Sequence, residues 1–163
     1  FKIEIVASPT GVTIPADHTQ KCFTSAIPGL TVTPIEKQFF GRTVKIPGEM
    51  TFGTLSTTFY NNETYDIRTA LEKWTDIIND PITNEGVSGV PSTYSGKIEL
   101  THYGKDGTAG MKFSFEDCWP SEVAAIELSY DTVGDMENFA VTWSYDYYTM
   151  SAGGISTTNG NQA

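Results

Sequence analysis

A chain of 163 residues with 39% apolar and 18% charged residues is long enough to fold as one domain around a buried core. Acidic residues outnumber basic ones by 20 to 10, and the net charge of −10 argues against a protein that holds nucleic acid by neutralising its phosphates. No apolar run approaches the roughly 20 residues that a membrane-spanning helix needs. The chain starts at Phe1 rather than at a methionine, so we expect further residues to precede it in the natural protein.

Alternation of apolar and polar residues with period two predicts β-strands over most of the chain. The first strand is expected at the N-terminus, where Phe1, Ile3 and Ile5 alternate with charged residues. Further strands are expected at Lys21–Ala26, Thr43–Pro47, Thr51–Tyr60, Lys97–Tyr103, Gly110–Asp117, Ala124–Tyr130 and Asn138–Tyr148. Turn signals separate them at Pro28-Gly29, Pro47-Gly48, Asp106-Gly107 and Gly134-Asp135.

The segment Val32–Phe52 is typical of a long exposed hairpin that carries two adjacent aromatic residues, Phe39 and Phe40. Exposed apolar side chains of this kind usually mark an interface. Folding of Phe39 and Phe40 back onto the core of their own domain is an equally good interpretation of the pattern.

One segment departs from the β-pattern, and its spacing predicts an amphipathic α-helix over Thr64–Asn79. Either Asn61 or Asn62 can cap its start, and Pro81 prevents it from continuing. The predicted apolar stripe consists of Ile67, Ala70, Leu71, Trp74, Ile77 and Ile78.

Together these elements predict a mainly β fold, an antiparallel β-sandwich or barrel with one inserted helix. Ile82–Ser95 is expected to be a loop. We expect one β-domain over residues 1–150 and a flexible, uncharged C-terminal tail over 151–163.

The chain offers little that indicates catalysis. Its two histidines and two cysteines, His18, Cys22, His102 and Cys118, lack the short spacing of a zinc site, and the segment between His18 and Cys22 does not have a helical pattern. No nucleophile motif or phosphate-binding glycine loop is present. We therefore expect no catalytic residue, no cofactor and no metal. The cysteines are expected to be buried and unpaired, although the sequence leaves a single disulfide open.

An ordered set of motifs resembles the tail tube proteins of contractile-tailed bacteriophages. The first motifs are Ser25–Gly29 and Phe40–Phe52, followed by the strand Leu55–Asn62 and a helix with Asp66, Arg68 and Trp74. The second half adds Cys118-Trp119-Pro120-Ser121-Glu122-Val123, the run Ile126–Tyr130 and the closing strand Phe139–Tyr148. The resemblance extends from Phe1 to Tyr148, and the tube proteins of contractile injection systems share the fold it implies.

The resemblance implies a structural subunit of the virion tail that is assembled in the host cytoplasm. Six copies form a ring around a lumen, and stacked rings form the tube through which the genome is delivered. The implied partners are further copies of the chain, the sheath protein, the baseplate, the tail terminator and a tape measure protein inside the lumen, while DNA passes without specific binding. From the hairpin pattern we expect contacts between rings at Phe39, Phe40, Arg42, Lys45 and Glu49.

If the resemblance holds, Thr51–Tyr60 and Asn138–Tyr148 are the best candidates for lumen strands. Leu55, Phe59, Phe139, Val141, Trp143, Tyr145 and Tyr147 are then expected to pack inward. The side chains expected to face the lumen are Thr54, Ser56, Thr58, Ala140, Thr142, Ser144 and Asp146. Small hydroxyl side chains and an acid would suit a wall that must not bind DNA. No Lys or Arg follows Lys112, whereas eight acids do, which also fits a surface that repels phosphate.

Three other functions fit parts of the pattern. One is the tube protein of a contractile injection system, and another is a tube-like baseplate protein. The third, from a different class, is a carbohydrate-binding β-sandwich module in which Trp74, Trp119 and Trp143 stack on sugars.

Overall fold

Antiparallel strands dominate the computed structural model, which describes residues 1–87, 89–126, 136–152, 155 and 156. The strands are β1 Lys2–Ala7, β2 Cys22–Ala26, β3 Leu30–Phe39, β4 Arg42–Phe52, β5 Leu55–Tyr60, β6 Gly96–Tyr103, β7 Ala109–Val123, β8 Asn138–Ser144, β9 Tyr147–Ala152 and β10 Ile155–Ser156. The helices are α1 His18–Lys21 and α2 Asp66–Ile78, and a 3₁₀ turn covers Pro91–Thr93. The mainly β fold with one principal helix is confirmed.

Eight of these strands form two sheets that share β7. In the first sheet the strand order is β10-β9-β7-β6-β1, and in the second it is β7-β8-β5-β2. The inward side chains of both sheets and the apolar stripe of α2 belong to one core cluster, so the architecture is sandwich-like. Strands β1 and β2 lie at the outer ends of the two linked sheets and do not pair with each other. The described strands therefore do not close a barrel within one chain.

Strand β7 changes sheets at a bulge around Asp117. Up to Glu116 it pairs with β9, and from Trp119 onward it pairs with β8. Asp117 has a φ of 54° and accepts a hydrogen bond from the Ser95 hydroxyl at 2.9 Å. A left-handed residue in a bulge bends and twists its strand, which is how one strand serves two sheets.

Strand β7 also continues six residues beyond its predicted end, through Trp119 and Pro120. Pro120 is compatible with this position because the strand has a partner on only one side there, and a missing N–H on the open side breaks no ladder bond.

Helix α2 begins two residues later than predicted and buries Ile67, Ala70, Leu71 and Trp74. Asn62 supports its start, because the Asn62 side-chain oxygen accepts a hydrogen bond from the Asp66 N–H at 3.2 Å. Asn61 is bound elsewhere, to the Glu137 carboxylate. The predicted apolar stripe is therefore confirmed, with Ile77 and Ile78 partly buried at its end.

The exposed hairpin is confirmed as β3 and β4, which form a separate two-stranded sheet. The two strands are joined at Phe40 and Gly41, whose φ values of 44° and 80° are typical of a type I′ turn. The sequence predicted a turn at Pro47-Gly48, but the structure places this pair at a bulge within β4. The predicted turn at Asp106-Gly107 joins β6 to β7, and Gly107 has a φ of 77°.

The prediction of one continuous strand over Asn138–Tyr148 is wrong. Strand β8 ends at Ser144, and β9 begins at Tyr147 in the other sheet. This corner reverses the inward and outward positions, so Tyr148 packs on the core whereas Tyr147 is 47% exposed. The run Thr51–Tyr60 is likewise divided, because Gly53 and Thr54 separate β4 from β5.

Helix α1 was not predicted. It positions His18, which is buried and holds two segments together. The Ile5 N–H donates to His18 Nε2 at 3.0 Å, and His18 Nδ1 lies 2.6 Å from the Pro15 carbonyl oxygen, to which it donates. The polar sequence around His18 hides this role because it lacks helical periodicity.

Other predictions fall partly outside the described residues. Ala124–Ile126 is not in a strand, and the rest of the predicted run to Tyr130, with the turn at Gly134-Asp135, lies outside them. Strand β9 continues to Ala152, two residues past the expected domain end, and pairs with β10. Residues 153, 154 and 157–163 of the expected tail lie outside the described residues.

Candidate assembly and lumen surfaces

The outward face of the second sheet carries a patch of small side chains. Register places Ser56 opposite Thr142 and Thr58 opposite Ala140. The residues between them along the two strands, such as Leu55 and Trp143, point the other way and are buried in the core. Directly opposed residues share a face, so the strand pair presents hydroxyl and methyl groups outward.

Five of the seven predicted lumen residues lie together on this face: Ser56, Thr58, Ala140, Thr142 and Ser144. The other two do not extend the row. Thr54 is exposed but precedes β5, and Asp146 lies in the corner between β8 and β9, where its backbone N–H donates to the Glu116 carbonyl at 3.2 Å. The sequence did not separate them from the row, because the alternating pattern continues through two chain bends.

Sequence reasoning missed several members of the face, among them Tyr60 opposite Asn138 and Trp119 opposite Ser144. Thr24 and Ala26 of β2 lie opposite Thr58 and Ser56, and Glu122 of β7 lies opposite Thr142. Their outward alternation is visible in the sequence, but the pairing that brings β2 beside β5 and β7 beside β8 is long-range. The second sheet thus has one acid and no Lys or Arg along β2, β5, β8 and the Trp119–Val123 part of β7.

The outward face of the first sheet is different in kind, because it carries paired charges of both signs. Lys97 binds Glu116, and Lys112 binds Glu99 at 2.7 Å, each pair across neighbouring strands. Hydrogen bonding to Glu116 raises the pKa of Lys97. The basic residues that the second sheet lacks are therefore present on the opposite side of the molecule.

The acids that follow Lys112 do not gather on one surface. Glu116 is neutralised on the first sheet, Glu122 faces outward on the second, and Glu137 accepts hydrogen bonds from Asn61 and Tyr65. Glu127, Asp131 and Asp135 lie outside the described residues. Among the described acids, only Glu122 shares the face of small side chains.

The hairpin side chains predicted to contact another ring are exposed. Phe40 is 93% exposed, and its ring meets that of Phe39 edge to face at 4.7 Å. Arg42 lies opposite Phe39, and Lys45 forms an ion pair with Glu36 at 3.3 Å, while Glu49 is exposed at the bulge. The interpretation in which Phe39 and Phe40 return to their own core is thereby excluded.

Both edges of the second sheet are open within the described chain. Strand β2 is an edge strand that pairs only with β5, and the Trp119–Val123 part of β7 pairs only with β8. Unpaired edges are templates for strand addition from another molecule.

The described side chains can be compared with the requirements of a metal site and of a reactive thiol. No group of three or more His, Cys, Asp or Glu residues among them could hold a metal ion. Both cysteines are free and buried, and burial raises the pKa of the Cys22 thiol to about 11 and that of Cys118 to about 12. Neither thiol forms the reactive thiolate near neutral pH.

The sequence matches the family model for phage tail tube proteins over residues 14–151. The chain belongs to the phage tail tube protein family. It is 28% identical over 133 residues to the tail tube protein gp19 of Enterobacteria phage T4, and the match covers 81% of each chain. The gp19 protein of Enterobacteria phage T6 matches to the same extent.

Solved structures share the tail tube fold. A chain of the sheath/tube terminator of the PVC extracellular contractile injection system superposes with a TM-score of 0.66 at 15% identity, covering 93% of this chain and 94% of that one. A chain of the tube-terminating cap of the anti-feeding prophage gives 0.62 at 13% identity, covering 86% and 91%. The PVC sheath-tube complex gives 0.54 at 15% identity, covering 88% and 94%. At these identities the likeness concerns the fold.

Among the helices of the described residues, none has the length and apolar character required to span a membrane.

Proposed function

We propose that six copies of this chain form a ring whose second sheets join edge to edge, and that stacked rings form a tail tube for genome delivery. The outward face of the second sheet lines the lumen. The observation that carries this proposal is a sheet with two open edges, whose outward face has a central patch of small side chains and whose strands have no Lys or Arg.

Ring closure follows from the two open edges. The edge of β2 in one copy pairs with the Trp119–Val123 edge of β7 in the next, so each copy adds four strands to one continuous barrel. Such a contact is heterologous, and after six repeats it closes without leaving an edge.

The lumen wall suits the passage of DNA because it offers phosphate nothing to bind. Each Lys or Arg in the wall would be repeated around every ring and along the tube, and would retain the backbone by charge. Short Ser, Thr and Ala side chains avoid this, and Glu122 adds weak repulsion. The role is structural rather than enzymatic.

The remaining partners belong to the same assembly. The names of the structural neighbours include a sheath-tube complex, a tube-terminating cap and a baseplate. By analogy, we infer that this chain contacts sheath, terminator and baseplate proteins and surrounds a tape measure protein in the virion tail. Assembly takes place in the host cytoplasm.

The test introduces positive charge into the lumen wall. In a phage that carries this chain, Thr142→Lys with Ser144→Lys should assemble tails but slow genome ejection several-fold, and added salt should partly restore the rate because it screens the charge. The rate is measured by dye-reported DNA release.

The matched control is Thr101→Lys with Thr149→Lys on the outward face of the first sheet, which adds the same charge outside the lumen. Ejection at the wild-type rate is expected for this control. Normal ejection by intact tails of the Thr142/Ser144 variant would refute the proposed lumen face.

A further inference from the structure

Two edge strands, β1 of the first sheet and β2 of the second, lie at the outer ends of the linked sheets. Among the described strands, β1 pairs only with β6, and β2 pairs only with β5. An unpaired edge accepts a strand from another molecule. A chain that adds copies through one of these edges must therefore keep the other from competing.

A side chain already occupies the edge of β1. The Ile5 N–H donates to His18 Nε2 at 3.0 Å, so this backbone group is bound to helix α1 rather than offered to another strand. His18 is only 6% exposed, and Ile5 is buried as well. The ring nitrogen thus takes the place that a carbonyl oxygen of an adjoining strand would have.

The imidazole of His18 is fixed in the tautomer that this contact requires. Its Nδ1 donates to the Pro15 carbonyl oxygen at 2.6 Å, which leaves Nε2 without a proton and able to accept. The backbone N–H of His18 donates to the same oxygen at 3.1 Å. Because one carbonyl holds both the backbone and the ring, the ring stays aimed at Ile5.

Strand β2 differs from β1 in both respects that matter for strand addition. Among the described residues, no side chain of another element is hydrogen bonded to its backbone, and Cys22–Ala26 carries no charge. Strand β1 carries the ion pair of Lys2 with Glu4 at 2.9 Å. Charged side chains on an edge strand discourage pairing with another molecule. The edge of β2 is therefore the better template of the two.

We propose that His18 blocks the edge of β1, so that copies of this chain join through β2 and not through β1. His18 then determines the specificity of assembly, an inference that rests on the proposed tube. Without its acceptor, the Ile5 N–H would be left unpaired, and a strand of another copy would satisfy it.

Two substitutions of His18 separate the lost acceptor from the lost ring. His18→Leu keeps most of the side-chain volume without an acceptor, whereas the amide oxygen of His18→Gln can accept from the Ile5 N–H. Purified His18→Leu should form irregular aggregates besides tubes, and His18→Gln should form tubes alone, as counted by negative-stain electron microscopy. In the unassembled Leu variant, hydrogen exchange in the β1 peptide should be roughly five- to tenfold faster than in wild type. The Gln variant should exchange at the wild-type rate.

A lysine on the edge of β1 tests where the aggregates join. Val6 is an exposed residue of this strand, and Val6→Lys in the His18→Leu chain should remove the aggregates. Thr101→Lys adds the same charge to the central strand β6 and should leave them. In the otherwise unmodified chain, Val6→Lys should form tubes as wild type does, because β1 takes no part in joining copies.

Leu71→Ala controls for a general loss of stability, because it removes a buried side chain of α2 and leaves His18 in place. Aggregation of this control to the same extent as His18→Leu would overturn the inference. Tubes alone from His18→Leu, aggregates that persist with Val6→Lys, or loss of tubes from Val6→Lys alone would also overturn it, while leaving the tube in place. Failure of the unmodified protein to form rings or tubes would instead contradict the proposed function.

Discussion

At the scale of single residues, the tryptophans act as structural anchors. Trp74 and Trp143 are fully buried with ring centroids 5.7 Å apart. The Trp74 indole N–H donates to the Tyr94 carbonyl at 2.6 Å, and that of Trp143 donates to the Thr57 hydroxyl at 2.9 Å. Their faces are unavailable for stacking on a sugar, which removes the main support for the carbohydrate-binding alternative.

Gly96 provides a test of the packing around Trp74. A Cβ at this position would lie 2.3 Å from the Ala7 carbonyl oxygen and 2.7 Å from Trp74 Cη2. Because a backbone oxygen and a buried ring cannot both move away freely, Gly96→Ala should lower the free energy of unfolding by about 1–3 kcal/mol. Chemical denaturation of an unassembled form measures this change.

Gly29→Ala is the matched control, since a Cβ there meets nothing within 4 Å. Its free energy of unfolding should be unchanged or up to about 1 kcal/mol higher. Wild-type stability of Gly96→Ala would show that the contact between β1, β6 and Trp74 is looser than described.

At the scale of elements, the bulge at Asp117 allows β7 to serve both sheets. Its φ of 54° is tolerated by Asp and Asn but strained for a β-branched residue. We expect Asp117→Val to lower the free energy of unfolding by about 1–3 kcal/mol. Asp117→Asn retains both the backbone preference and an acceptor for Ser95, and should lower it by less than about 1 kcal/mol.

Thermal and chemical unfolding of the two Asp117 variants provide the comparison. Equal stability of the Val and Asn variants would mean that β7 can change sheets without a left-handed residue.

Elements with a strong local signal could be predicted from the sequence. The stripe on α2 repeats with helical spacing over more than three turns, and the hairpin is bounded by Pro and Gly residues. The alternation along β5 and β8 predicted five residues of the face that we assign to the lumen. These features depend on residues close together in the chain.

Features that depend on distant residues escaped prediction. The corner at Tyr145-Asp146 continues the alternating pattern, and only the pairing of β9 with β7 shows that a new strand has begun. Thr24, Ala26 and Glu122 join the face through strand pairing that a linear pattern does not reveal. Helix α1 is a single turn stabilised by the contacts of His18, so it has no periodicity of its own.

At the scale of the whole molecule, charge and shape are divided between opposite surfaces. Paired charges lie on the outward face of the first sheet, and small uncharged side chains dominate that of the second. The hairpin adds a basic, apolar projection to an acidic body. In the tube that we propose, this division would give a lumen wall without basic side chains and a polar exterior.

The most direct test of the central claim is a helical cryo-electron microscopy reconstruction of the assembled protein. We predict six copies in each ring, β2 of one copy paired with Trp119–Val123 of the next, and a lumen lined by Ser56, Thr58, Ala140 and Thr142. A lumen lined by Lys97 and Lys112 of the first sheet, or an assembly in which the edges of the second sheet remain unpaired, would contradict the account.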